Sequence, residues 1–117
     1  MGKLTTHVLD TANGCPAAGL RIELFRLDDG QAVLLRQVET NDDGRVDGPL
    51  LEGDDFAAAT YRLAFEAGDY FAGKGVSVPE PRFVDRVVLD FGIADPRQHY
   101  HVPLLVSPWS WSTYRGS

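Results

Sequence analysis

Apolar side chains recur at every second residue along most of this chain, and that spacing decides what it can fold into. In Arg21-Ile22-Glu23-Leu24 a charged residue alternates with an aliphatic one. Further on, Tyr61, Leu63 and Phe65 fall on one side, with Thr60, Arg62, Ala64 and Glu66 on the other. Phe83, Val87, Leu89 and Phe91 share a face in the same way, with Arg82 and Arg86 opposite. A period of two belongs to a β-strand with one buried side and one wet side. Asn13-Gly14, Asp43-Gly44, Gly48-Pro49, Glu80-Pro81 and Asp95-Pro96 break the runs as turns. Asp28-Asp29-Gly30 separates two strand candidates as a hairpin turn. Seven or eight short strands in 117 residues predict an all-β, two-sheet sandwich. One short helix is expected at 68–73. No repeat, low-complexity tract or linker interrupts the chain, so 1–117 reads as a single domain.

Composition narrows the function classes. The chain is 44% hydrophobic and 24% charged, which is globular rather than disordered. Its formal net charge is −6 and its basic residues form no cluster, which argues against nucleic acid as a partner. No run of about 20 apolar residues exists to span a membrane. The opening "MGKLTTHVLD" has no signal-peptide core, so a cytoplasmic location is expected. The one cysteine, Cys15, can form no internal disulfide. It reads as a turn residue in Asn13-Gly14-Cys15-Pro16, with no basic neighbour to activate it.

Two strand candidates depart from the clean alternation. In "HYHVPLLVSP", Tyr100, Val102, Leu104 and Val106 make a core face, while His99, His101, Pro103, Leu105 and Ser107 make a mixed one. In "LTTHVLD", Thr5, His7 and Leu9 share a face of the same kind. A face that mixes Leu and Pro with His suits a cleft or a subunit interface better than open water. All three histidines of the chain lie in these two segments. Imidazole exchanges protons near neutrality, so histidines in a cleft are candidates to activate water as general bases. His99, two residues before His101 on the same face, reads equally as one of these candidates and as a partly exposed polar residue. A three-histidine zinc site is the competing reading, but no carboxylate or Cys accompanies it at motif spacing. There is no Gly-x-Ser-x-Gly elbow for nucleophilic catalysis. Arg45, in "NDDGRVDGPL", reads either as a solvated charge paired with Asp42 or Asp47, or as a guanidinium that holds a planar ligand or stabilises an oxyanion. Trp109 and Trp111 share a strand face with Thr113 and Arg115, and core packing is the expectation for both.

The chain closes on "STYRGS", directly after an apolar strand candidate. This ending, "LTTHVLDTANGCPAAGLRIEL" and "GRVDGPL" together resemble the 5-hydroxyisourate hydrolases, the transthyretin-related family of urate degradation. The resemblance runs from Leu4 to Ser117 in order. It implies a transthyretin fold of two four-stranded sheets and one short helix. It also implies a homotetramer, a dimer of dimers, with substrate clefts where two dimers meet. The implied chemistry is hydrolytic opening of the six-membered ring of 5-hydroxyisourate to 2-oxo-4-hydroxy-4-carboxy-5-ureidoimidazoline, with no metal or organic cofactor. Carried over by motif, the catalytic residues are His7, Arg45 and His101. Tyr114, Arg115, Gly116 and Ser117 join His7 and Arg45 in binding substrate. The histidines would deprotonate a water, Arg45 would hold the ring and its developing charge, and the closing tetrapeptide would wall the cleft. Which histidine is the base stays open. Ending at Ser117 is then expected to matter, since a longer tail would cross the cleft. Trp109 and Trp111 depart from the tyrosines of many relatives. The alternative is a transthyretin-like carrier that binds a small molecule without catalysis.

Overall fold

The strand-forming alternation is realised in a computed structural model that describes residues 2–116. Two sheets pack face to face. In one, β1 (Lys3–Asp10) lies between β2 (Cys15–Pro16) and β8 (Tyr100–Val106), with β9 (Trp111–Thr113) beyond β8 and β5 (Leu51–Glu52) also paired to β1. In the other the order is β4 (Gln31–Glu39), β3 (Arg21–Asp28), β6 (Ala59–Glu66), β7 (Arg86–Ile93). The short helix α1 (Ala67–Gly73) follows β6 directly and matches the expected segment to within one residue. Strand β1 carries two partners of only two residues each, so its sheet has five strands rather than the four implied by the resemblance. Among the described residues no helix is long and apolar enough to cross a membrane.

The alternating apolar residues fill the space between the sheets. Leu4 and Val8 of β1, Ile22 and Leu24 of β3, Tyr61, Leu63 and Phe65 of β6, and Leu104 and Val106 of β8 are all buried there. Each such side chain contributes roughly 1.5–3 kcal/mol when withdrawn fully from water. Burying them fixes register, because a slip of one residue would turn every one outward. The pairing of β1 with β8 is parallel and runs in register from Leu4↔Tyr100 to Asp10↔Val106.

Two apolar expectations fail at the sheet margins. Phe83 does not join the Val87 face; it is 74% exposed, and β7 starts only at Arg86. Ahead of that strand Arg82 is tied to Asp69, Glu80 and Asp85, and Val84 turns inward as its N–H bonds the Pro108 carbonyl. The ties bend the segment and shift the buried position from Phe83 to Val84. Trp109 and Trp111 are also exposed rather than in the core. Trp111 opens the three-residue edge strand β9, and Trp109 lies in the turn before it, where its ring leans on that of Phe83 at 6.1 Å.

Candidate active site

Alternation along β1 turns Thr6 and Val8 inward and leaves Thr5, His7 and Leu9 half-buried on the outer face. On β8, Tyr100 and Val102 point inward and His101 outward. The parallel register sets Thr5 beside His101 and His7 beside Pro103. Two isolated bridges lengthen these rows: Arg45 pairs with His7, and Gly116 pairs with His101. Paired residues project to the same side of a sheet. One face therefore carries the rows Arg45–His7–Pro103 and Thr5–His101–Gly116. The chain brings together residues far apart in sequence, with a separation of 96 from Thr5 to His101.

The loop that delivers Arg45 is built by Asn41. Its side-chain oxygen accepts the N–H groups of Asp43 and Arg45 at 2.9 and 3.1 Å, and its backbone N–H reaches the Arg45 carbonyl at 2.7 Å. Gly44 has φ +74°, and a Cβ there would strike the Val8 carbonyl oxygen. Only glycine takes that conformation and approach without strain. The Val8 N–H in turn bonds the Gly44 carbonyl at 2.8 Å, which fastens the loop to β1. His7 Nε2 donates to the Asp43 carbonyl at 2.9 Å. A carbonyl can only accept, so in neutral His7 the proton is on Nε2 and Nδ1 carries the lone pair. Among the described residues the Arg45 side chain makes no ion pair with Asp42 or Asp47; Asp47 instead accepts from the Asn41 amide at 2.9 Å.

His101 is held from both sides. Nδ1 is 2.8 Å from the Thr5 hydroxyl. On the other side a Cβ at Gly116 would lie 2.7 Å from Cδ2 of the ring, so the missing side chain makes room for the imidazole. Partial burial holds His101 below the ordinary histidine range, and the positive charges of Arg45 and His7 add to the effect. The ring is therefore neutral, and able to accept a proton, near neutral pH.

The closing tetrapeptide divides between the two faces. Continuing the β8–β9 register from Leu104↔Thr113 to His101↔Gly116 places Tyr114 and Gly116 on the histidine side. Arg115 goes to the opposite side, where its guanidinium lies 4.0 Å from the Tyr100 ring centroid. There it donates to the Gln98 side chain and the His99 carbonyl. Ser117 lies outside the described residues. His99 precedes β8 and is exposed, apart from the other two histidines. Among the described residues no three His, Cys, Asp or Glu side chains converge as a metal-ligand set.

Nothing in the sequence marks Thr5, Asn41, Asp43 or Gly44 as functional, and Asp43-Gly44 reads only as a turn, yet each holds a member of the site. Asn41-Asp42-Asp43-Gly44 does carry an Asx-turn signature. Thr5 carries only its place in the alternation, since nothing local pairs it with His101. Taken together, a guanidinium, a neutral imidazole and a second imidazole on one sheet face can hold a small planar polar molecule and take a proton from water beside it.

The chain is similar to known proteins along its whole length. The sequence model of the HIUase/Transthyretin family matches residues 4–116. A Rhizobium meliloti protein named 5-hydroxyisourate hydrolase 2 is 62% identical over 116 residues, covering 99% of this chain and 97% of its own. The solved structure of 5-hydroxyisourate hydrolase from Klebsiella pneumoniae superposes with a TM-score of 0.82 at 36% identity, with each chain covered in full. The crystal structure of (S)-allantoin synthase gives a TM-score of 0.94 at 54% identity; it covers 99% of this chain, which spans only 44% of that longer one.

Proposed function

Since the chain belongs to the HIUase/transthyretin family, we propose that it hydrolyses 5-hydroxyisourate, opening the six-membered ring with water to give 2-oxo-4-hydroxy-4-carboxy-5-ureidoimidazoline. The observation that carries this reading is the convergence of His7, Arg45 and His101 on one sheet face through pairings to β1 and β8. Neither folding nor core packing requires two imidazoles and a guanidinium at those positions.

Arg45 holds the polar edge of the substrate and stabilises the charge that develops on the attacked carbonyl oxygen. A water between the two imidazoles loses its proton as it attacks that carbonyl. The protonated imidazole then returns the proton to the departing ring nitrogen, which leaves both histidines as they began. Tyr114 walls the histidine side of the cleft. From the opposite face Arg115 braces the segment by stacking on Tyr100. The active form is a homotetramer, a dimer of dimers whose clefts lie between dimers. In support, the histidine face mixes Leu9, Pro103 and Leu105 with polar groups, and strands β7 and β9 end their sheets without a further partner among the described residues.

The test is direct. Freshly generated 5-hydroxyisourate decays spontaneously with a change in ultraviolet absorbance. Nanomolar protein should accelerate that decay, and Arg45→Ala should lose both binding and rate. Decay at the spontaneous rate in the presence of folded protein would refute the proposal.

A further inference from the structure

We propose that Thr5 is a positioning residue for the hydrolysis, its hydroxyl accepting a hydrogen bond from His101 Nδ1–H so that the Nε2 lone pair faces the cleft. The proposal rests on the hydrolase reading for its kinetic consequence, but not for its structural one.

The geometry comes from the row Thr5–His101–Gly116. In an imidazole, Nδ1 and Cδ2 flank the attachment carbon, and Cε1 and Nε2 form the far edge. Thr5 Oγ1 holds the Nδ1 side at 2.8 Å. The Cδ2 side lies against the backbone of Gly116, where a Cβ would come within 2.7 Å. With both near corners fixed by strand neighbours, the far edge stands out from the sheet, and Nε2 is the nitrogen left for water or substrate. A ring with only one held corner could flip, which puts Cδ2 in the place of Nδ1 and Cε1 in the place of Nε2.

Two protonation patterns fit a hydroxyl beside Nδ1: the hydroxyl can accept from Nδ1–H or donate to a bare Nδ1. Only the first leaves a lone pair on Nε2 able to take a proton from water. The charge on the face favours it. Arg45 occupies the neighbouring row beside His7, on the same face as His101. A guanidinium there disfavours a further polar hydrogen on the cleft edge of the ring and favours a lone pair. His7 complements this arrangement. Its Nε2–H is committed to the Asp43 carbonyl, so it orients the water or substrate while His101 takes the proton.

Nitrogen-15 NMR of the imidazole side chains, together with steady-state kinetics, tests the assignment. In the wild-type protein at neutral pH, His101 should carry its proton on Nδ1. Thr5→Val keeps the shape of the side chain and removes the hydroxyl. It should release the tautomer preference and lower kcat by about tenfold or more, with KM changed less than about threefold. Thr5→Ser should restore both the Nδ1–H signature and kcat. A wild-type His101 protonated on Nε2 overturns the proposal, as does a Thr5→Val protein with unchanged tautomer and kcat. A fall in kcat in Thr5→Val that Thr5→Ser does not restore, with the tautomer unchanged, makes the threonine structural only and also overturns it. If the wild-type protein fails to hydrolyse 5-hydroxyisourate, the functional reading falls, while the tautomer measurement still decides the role of Thr5.

Discussion

His101 concentrates the chemistry of the site, and its environment sets a pH limit. Its ordinary value is about 6.5, and burial, Arg45 and His7 hold it lower. A base must be neutral to work. Activity should therefore be full above pH 6.5 and decline only as pH falls through the lowered value, as a profile of kcat/KM from pH 4.5 to 8 would show. An NMR titration of Arg45→Gln should move His101 upward, because one of the charges opposing its protonation is gone. The same shift acts on stability. An unfolded imidazole protonates near 6.5, before the folded one, so stability is lost as pH drops from about 6.5 towards the folded value. His101→Asn should cut turnover by at least about a hundredfold without dissociating the protein. Gly116→Ala places a methyl against the ring, so it should cost up to about a hundredfold in turnover with little change in melting temperature. His7 and His101 were legible in the sequence because alternation alone puts them on a mixed face. The direction of Arg115 was not, because it depends on a β8–β9 register that no local pattern specifies.

Among elements, the loop from Asn41 to Arg45 is the most exacting. It holds Arg45 and the carbonyl that orients His7, and the Gly44–Val8 hydrogen bond fastens it to β1. Gly44→Ala should thus be more damaging than a surface substitution. The left-handed backbone costs alanine about 1 kcal/mol, and the clash with β1 adds to it. Both melting temperature and hydrolysis should fall. A second device ties β1 to α1. Buried Asp10 accepts the N–H groups of Ala12 and Asn13, the Asn13 amide and the Tyr70 hydroxyl at 2.7–3.0 Å. Tyr70→Phe leaves that carboxylate one donor short and should destabilise the fold by about 1–3 kcal/mol in urea unfolding, with activity retained in the folded fraction. The long strands and α1 were readable from periodicity and turn residues. Strands β2 and β5, of two residues each, have no period to read and exist only because β1 offers them an edge. The exposure of Trp109 and Trp111 was equally hidden: alternation says which residues share a face, not whether another sheet covers it.

For the whole molecule, the proposed tetramer makes the sharpest demand. Sedimentation at micromolar concentration should give about four times the mass of one 12.8 kDa chain. A chain that sediments as an active monomer would remove the dimer–dimer cleft from the account. Fold class was recoverable from the sequence because a two-residue period and frequent turns leave few alternatives. Assembly was only suggested by the mixed face, since a cleft and an interface produce the same pattern.

The parallel pairing of β1 with β8 also governs when activity can appear. Local hairpins such as β3–β4 close early, because their loops are short. The site waits for contacts such as Thr5 with His101, whose sequence separation of 96 is among the slowest kinds of closure to achieve. A refolding chain should recover its strand signal first and its hydrolysis later. The lag between the two times the moment when the two ends of the chain meet.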